Sequence, residues 1–221
     1  MAKRKSVKRS KASARTKARK VVRRAGSKKR AAARPVKRGG AARRPAAAAR
    51  SAGNGPAGAR LAQQRSLGLL RFARGLLAGM LKDFPNDKLL AQPSPTDNHA
   101  LWTMGHLAAT YQWFLQTLGD KGNVPDSYQG LFSFGTTPSP FVATYPPADE
   151  VRGHFEASFE RFMQVAGAMP AKELMSPPAI DTGGFAATKL DVVERAAWHE
   201  GWHTGQVASL RRAFGLPRLM G

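Results

Sequence analysis

Residues 192–214 carry the feature that most restricts this chain. Val192, Ala196, His199, His203, Val207, Leu210 and Phe214 are spaced by four, three, four, four, three and four. That step traces one face of an α-helix, and the apolar members mark the face as core-directed. Two histidines sit in the middle of the stripe, one helical turn apart and on the same side. Burying two imidazoles is costly unless their nitrogens find partners. A shared metal ion is one such partner, and i, i+4 is the spacing at which two histidines converge on it. Hydrogen bonds to backbone, or to each other, are the alternative.

An earlier stretch repeats the pattern. His99, Trp102, His106, Ala109 and Trp113 step by three, four, three and four. His106 again replaces an apolar residue mid-stripe. Two helices with three inward histidines point to a three-histidine site that leaves one position open for water or substrate. His99 lies about 10 Å along the helix from His106, too far to share the ion. It is read as partly exposed, or as a support to a ligand.

Charge divides the chain in two. Residues 1–60 hold 22 of the 36 Lys and Arg and no Asp or Glu, whereas residues 61–221 hold 14 basic and 14 acidic residues. The net charge of +22 therefore resides in the first segment. That segment is Lys, Arg, Ala, Gly, Pro and Ser with almost nothing large and apolar. It cannot bury enough surface to offset its ordering entropy, so a disordered tail is expected over 1–60. Dense positive charge binds DNA or RNA through counterion release without reading sequence. The tail resembles those of linker-histone-like bacterial proteins. A solubilising tail, a transit peptide and an upstream extension from a misassigned start are the competing readings.

The remaining residues, about 160, suffice for one domain with a core. The chain has no cysteine, which excludes disulfides, thiolate ligands and a protein thiol nucleophile. No apolar run approaches the roughly 20 residues of a membrane span, and no secretory signal is evident. The expectation is a cytoplasmic protein without membrane contact, nucleoid-associated if the tail binds DNA.

Four helices follow from periodicity and punctuation. The first is expected over 61–84, with Leu69, Phe72, Leu76 and Met80 facing inward and Leu70, Leu77, Leu81 and Phe84 broadening the stripe. The second is expected over 95–118, with Ser94 as its cap, Asp97 in capping-box spacing and Gly119 ending it. A long connection, 119–146, is read as crossing the bundle and covering the site. The third helix spans 147–169, with Val151, Phe155, Phe159 and Phe162 inside. Thr188 and Asp191 cap the fourth, which ends before Gly215 and Pro217. No stretch alternates as a strand would. The fold class is all-α, a four-helix bundle with long crossover loops over 61–221, preceded by the basic tail.

The segments Trp102-Thr103-Met104-Gly105-His106-Leu107 and His199-Glu200-Gly201-Trp202-His203-Thr204-Gly205-Gln206-Val207, running on to Leu210-Arg211-Arg212, together resemble the DinB-like (YfiT-like) metalloenzymes over about residues 61–218. The resemblance implies a four-helix bundle and a divalent metal held by three histidines, which map onto His106, His199 and His203. Zn2+ or Ni2+ is the expected ion, with Fe2+ or Mn2+ as alternatives. Characterised members include thiol-dependent transferases and a maleylpyruvate isomerase that uses low-molecular-weight thiols. The wider superfamily includes metal-binding domains of iron-dependent sulfoxide synthases. A small-molecule thiol transfer or a hydrolysis is the implied chemistry, and a low-molecular-weight thiol the implied partner.

His199-Glu200-x-x-His203 also matches the zinc-protease signature, in which the glutamate is the general base. No His, Asp or Glu follows His203 to complete that site. A protease is thus disfavoured, and Glu200 remains the candidate catalytic residue, as a proton acceptor beside the metal. Trp102, Trp198 and Trp202 are read as core packing. Thr204 and Gln206 are candidates to tune the histidines by hydrogen bonding. Two further readings stay open. In one, the tail makes this a nucleic-acid-associated protein with a non-catalytic bundle. In the other, the histidines are kept for stability or for a homodimer.

Overall fold

A computed structural model describes residues 55–219. The tail expected over 1–60 lies almost wholly outside the described residues. Six α-helices follow in order: α1 Pro56–Lys82, α2 Ala100–Leu118, α3 Ser127–Phe132, α4 Ala148–Ala168, α5 Ala171–Leu174 and α6 Lys189–Ala213. Among the described residues there is no strand. The four long helices pack with α1 against α6, α6 against α2, α2 against α4 and α4 against α1. Chain neighbours α1 and α2 therefore sit diagonally, as do α4 and α6. The crossovers are the segments 83–99 and 169–188. The longest connection, 119–147, joins adjacent helices instead, and its short helix α3 packs on α2. No helix among the described residues is long and apolar enough to cross a membrane.

Helix α1 starts at Pro56, five residues before its expected start. Gly55 is its extended N-cap and Pro56 occupies the first turn, where a missing N–H costs nothing. Its inner stripe is also rotated from the expected one. Leu69 and Phe72 are exposed, and the buried line runs through Ala59, Gln63, Leu67, Leu70, Arg74, Leu77 and Leu81. Two polar residues in that line disguised it. Gln63 Nε2 donates to the Ala166 and Met169 carbonyls, closing the end of α4. Arg74 is likewise partnered, as described below.

Helix α2 begins at Ala100, not near residue 95. Ser94 and Asp97 do bond each other, through Asp97 N–H to the Ser94 carbonyl at 2.9 Å and Ser94 N–H to Asp97 Oδ2 at 3.0 Å. They close a free-standing turn. The cap is His99, extended at ψ 163°, whose Nδ1 accepts the Trp102 N–H at 3.0 Å. Its Nε2–H donates to the Ser139 carbonyl at 3.0 Å. His99 is fully buried rather than partly exposed, and its two ring nitrogens bond to Trp102 and Ser139, not to a candidate ligand. Gly119, at φ 93°, ends the helix in the left-handed conformation that glycine adopts without strain.

Helix α6 begins as its sequence indicates. Asp191 N–H donates to Thr188 Oγ1 and Thr188 N–H to Asp191 Oδ2, a reciprocal capping box. At the far end Arg211 is buried and reaches across to α1. Its guanidinium donates to the Met80 carbonyl and Asp83 Oδ1, each at 2.6 Å, and to the Pro217 carbonyl at 2.8 Å. Phe155, Phe162 and Val151 of α4 are fully or almost fully buried, as their stripe requires.

Candidate metal centre

Helices α2 and α6 cross where their histidine stripes meet. Their contact brings together His106 from α2 with His199 and His203 from α6. His199 Nε2 lies 3.2 Å from His106 Nε2 and 3.1 Å from His203 Nε2. The other ring nitrogens fix the tautomers of two of these residues. His106 Nδ1 lies 2.7 Å from the Phe132 carbonyl. A carbonyl oxygen only accepts, so Nδ1 carries the proton and Nε2 presents a lone pair. His203 Nδ1 donates to Gln206 Oε1 at 2.8 Å, and Asn98 Nδ2 approaches the same oxygen at 3.3 Å. His203 Nε2 is then also a bare lone pair.

Three nitrogens thus face one another with at most one proton to share among them. Tetrahedral Zn–N bonds of about 2.0–2.1 Å would set neighbouring nitrogens roughly 3.3 Å apart. The observed 3.1 and 3.2 Å separations are close to that spacing. Protonation offers no other remedy. Burial, reinforced by the neighbouring His203 and His106, depresses His199 to about 2. Burial and the nearby His106 depress His203 to about 3. Burial lowers His106 as well. All three imidazoles are neutral near pH 7, the form that binds metal. The donor set fits a divalent ion.

The Trp–small–His motif has a steric explanation. A Cβ on Gly105 would lie 2.4 Å from the Phe132 ring. Only glycine lets that ring lie against α2, and the ring's position delivers the Phe132 carbonyl to His106. On the other side Trp102 stacks flat on the His106 ring, with centroids 4.6 Å apart and planes 8° from parallel. Trp102 Nε1–H donates to Thr136 Oγ1 in the 119–147 connection at 3.1 Å. That connection therefore covers the site, as anticipated, although it does not cross the bundle.

Residues 69–207 match the DinB superfamily, well over half of the chain. This chain is a member of the DinB superfamily. The match takes in α2, α4, α6 as far as Val207, and all three histidines. Comparison with the curated proteins finds no match.

Glu200 is not where a general base for this DinB-superfamily site would need to be. Its side chain is fully buried in the bundle interior. Arg74 Nε lies 2.7 Å from Glu200 Oε1. Tyr111 Oη–H donates to Glu200 Oε2 at 2.7 Å, and Arg74 Nη2 approaches the same oxygen at 3.3 Å. Burial raises the Glu200 pKa, with Arg74 and Tyr111 opposing that rise. The carboxylate is not among the converging ligand atoms and does not line the cavity beside them. One residue along a helix is a rotation of about 100°, which carries Glu200 from the site into the core.

Two tryptophans also depart from expectation. Trp198 and Trp202 are 58% and 57% exposed and line the cavity rather than the core. Gln206 does support a histidine. Thr204 instead bonds back to the Glu200 carbonyl at 2.7 Å and plays no part at the nitrogens. Sequence reasoning missed Thr110, whose hydroxyl lies 3.5 Å from His106 Nε2. Its one available signal was its place one turn beyond His106. It also missed Asn98 and the Phe132 carbonyl, which no spacing rule reveals.

Proposed function

We propose that His106, His199 and His203 hold a divalent ion and that this DinB-superfamily bundle catalyses a small-molecule thiol transfer or a hydrolysis at it. The observation that carries this reading is the approach of three imidazole nitrogens to within 4.8 Å of one another, with at most one proton among them. Zn2+ and Ni2+ suit three neutral imidazoles best, with Fe2+ and Mn2+ as alternatives. Such an ion supplies Lewis acidity, lowering the pKa of a water or thiol that reaches it toward neutrality.

The chain's own residues do the rest. The Phe132 carbonyl and Gln206 fix the ring orientations and keep the proton on Nδ1. Such supporting bonds also raise ligand basicity. Trp102 stacked on His106 holds the ring plane. Thr110 offers the hydroxyl nearest the converging nitrogens. Among the described residues no Asp, Glu, Lys or Arg lines the cavity; in this reading the nucleophile arrives with a substrate or from solvent. Elemental analysis of the full chain, purified without a histidine tag, tests the reading beside His199→Ala. Near-stoichiometric metal in the parent and loss in the variant are expected. A metal-free, well-folded parent that takes up none of these ions overturns it.

The charge asymmetry favours a second function for the same chain, association with DNA or RNA through residues 1–60. Deleting residues 1–54, which leaves the Gly55 cap and α1 intact, would abolish binding and its steep salt dependence. Binding that survives the deletion would refute it.

A further inference from the structure

The cavity over the three histidines has a composition that selects its occupant. Its volume is about 840 Å³, within the usual range for small-molecule sites. The chain contains four tryptophans, and Trp102, Trp113, Trp198 and Trp202 all line this one cavity. Phe114, Phe134 and Phe185 add to the wall. Trp113 and Phe185 meet edge to face at 5.3 Å, and Trp198 and Trp202 lie 5.6 Å apart. Phe134, on the covering connection, is 97% exposed. Trp198, Trp202 and Phe134 thus spend large apolar surface on solvent beside a concave site.

The polar groups that the described residues contribute to the wall are neutral: Asn98, Thr110, Gln129, Ser133, Thr182 and Gln206, beside the histidines themselves. Arg195 lies near the wall, but its guanidinium sits over the Phe185 ring at 5.1 Å and does not line the cavity. Away from an ion held by the histidines, a carboxylate on the body of a ligand would lose its hydration without gaining a counter-charge from the described residues of the wall. A flat apolar ring would gain aromatic contacts on several sides in addition to burying its area.

We propose that this cavity binds an uncharged small molecule with an aromatic body and one polar donor head, and discriminates against carboxylate-bearing thiols. The body lies between Trp198, Trp202 and Phe185, and the head points to the histidine nitrogens. The part concerning the head rests on the metal reading above; the part concerning the body does not.

Intrinsic tryptophan fluorescence reads the cavity directly, because every tryptophan lines it. The full chain, zinc-loaded and separately stripped with EDTA, is titrated with 2-phenylethanethiol and with glutathione, both of which carry a thiol. In the zinc-loaded protein the aromatic thiol should bind at least about tenfold more tightly than glutathione. In the stripped protein its binding should weaken yet remain saturable and tighter than glutathione. Replacing the two exposed rings together, Trp198→Ala with Trp202→Ala, should weaken the aromatic thiol by about tenfold. Zinc content and melting temperature should stay unchanged in that variant. Equal or tighter binding of glutathione, or a double variant that binds like the parent, overturns the proposal. The two readings fail separately. Zinc uptake without aromatic preference removes the substrate class and leaves the metal site. Aromatic preference without zinc uptake does the reverse.

Discussion

Two polar clusters are buried in this bundle, and they differ in whether a positive and a negative charge meet in them. Arg74, Tyr111 and Glu200 form one. Its cation and anion are paired at 2.7 Å, its hydroxyl donates to the carboxylate, and Arg74 also donates to the Phe155 carbonyl at 3.2 Å. The guanidinium is stacked over Phe155 and Phe159 at 3.7 and 4.3 Å. His106, His199 and His203 form the other cluster. Each outer nitrogen of His106 and His203 has a partner, whereas the inner nitrogens have only each other. Adjacent residues on α6, His199 and Glu200, belong to different clusters. An ion-paired network holds helices together, although Arg74 Nε and Glu200 Oε1 meet outside hydrogen-bond alignment. An under-satisfied one beside a cavity is built for something from outside.

Four substitutions test that contrast, and a fifth, read by titration, tests a buried histidine outside it. The largest loss of stability should follow Glu200→Ala, which leaves the Arg74 charge buried without its partner. A cost of about 3–5 kcal/mol in denaturant unfolding is expected. The surviving folded fraction should still bind metal, because the carboxylate is not a ligand. Loss of metal at full folding would instead place Glu200 at the site. His203→Ala inverts the pattern. Metal stoichiometry should collapse, while the metal-free variant melts close to the metal-free parent, since one member of an incomplete cluster has gone. Calorimetry with and without chelator reads both.

Gly105→Ala touches the centre only through Phe132. The new Cβ forces the ring and its carbonyl away from His106, with an overpacking cost of about 1–3 kcal/mol. Metal affinity should fall as well, and competition against a chelating dye would measure it. Gln206→Leu removes the oxygen that His203 Nδ1 and Asn98 Nδ2 share. Metal affinity should drop about 10–100-fold with little change in the melting temperature.

The smallest effect is a pH dependence at His99, which belongs to neither cluster. Burial holds its pKa below the ordinary 6.5, so the folded protein binds fewer protons there than the unfolded chain. The stability it contributes is present above about pH 6.5 and is lost as pH falls from there toward the folded value. His99→Asn keeps a cap acceptor without a titrating ring. Its stability should fall less steeply between pH 6.5 and 5, by at most about 1.4 kcal/mol per pH unit. Parallel slopes for parent and variant would refute the assignment.

Much of this was open to reading in the residues alone. The stripe through His199 and His203 and the Thr188–Asp191 capping box are local. Both depend on residues within a turn or two of one another, and helical geometry converts such spacings directly into faces and caps. The stripe of α1 was hidden for the opposite reason. Gln63 and Arg74 look like surface residues until their partners at Ala166, Met169 and Glu200 are known, and those partners are about a hundred residues away. Ser94 and Asp97 formed their local bonds as the pattern suggests. Where α2 begins was decided by His99, whose imidazole is anchored to Ser139 forty residues on.

Sequence by itself determined the all-helical architecture, the charge asymmetry, the absence of thiols and which three histidines could meet. Those follow from composition and from a fixed 3.6-residue period. Tertiary structure alone decided that the three Nε2 atoms face one another, that Glu200 lies in the core, and that four tryptophans share one cavity. The reason is geometric. A helix fixes the angle between neighbouring side chains, but only the packing of other helices decides which of those angles points at a core, a cavity or water.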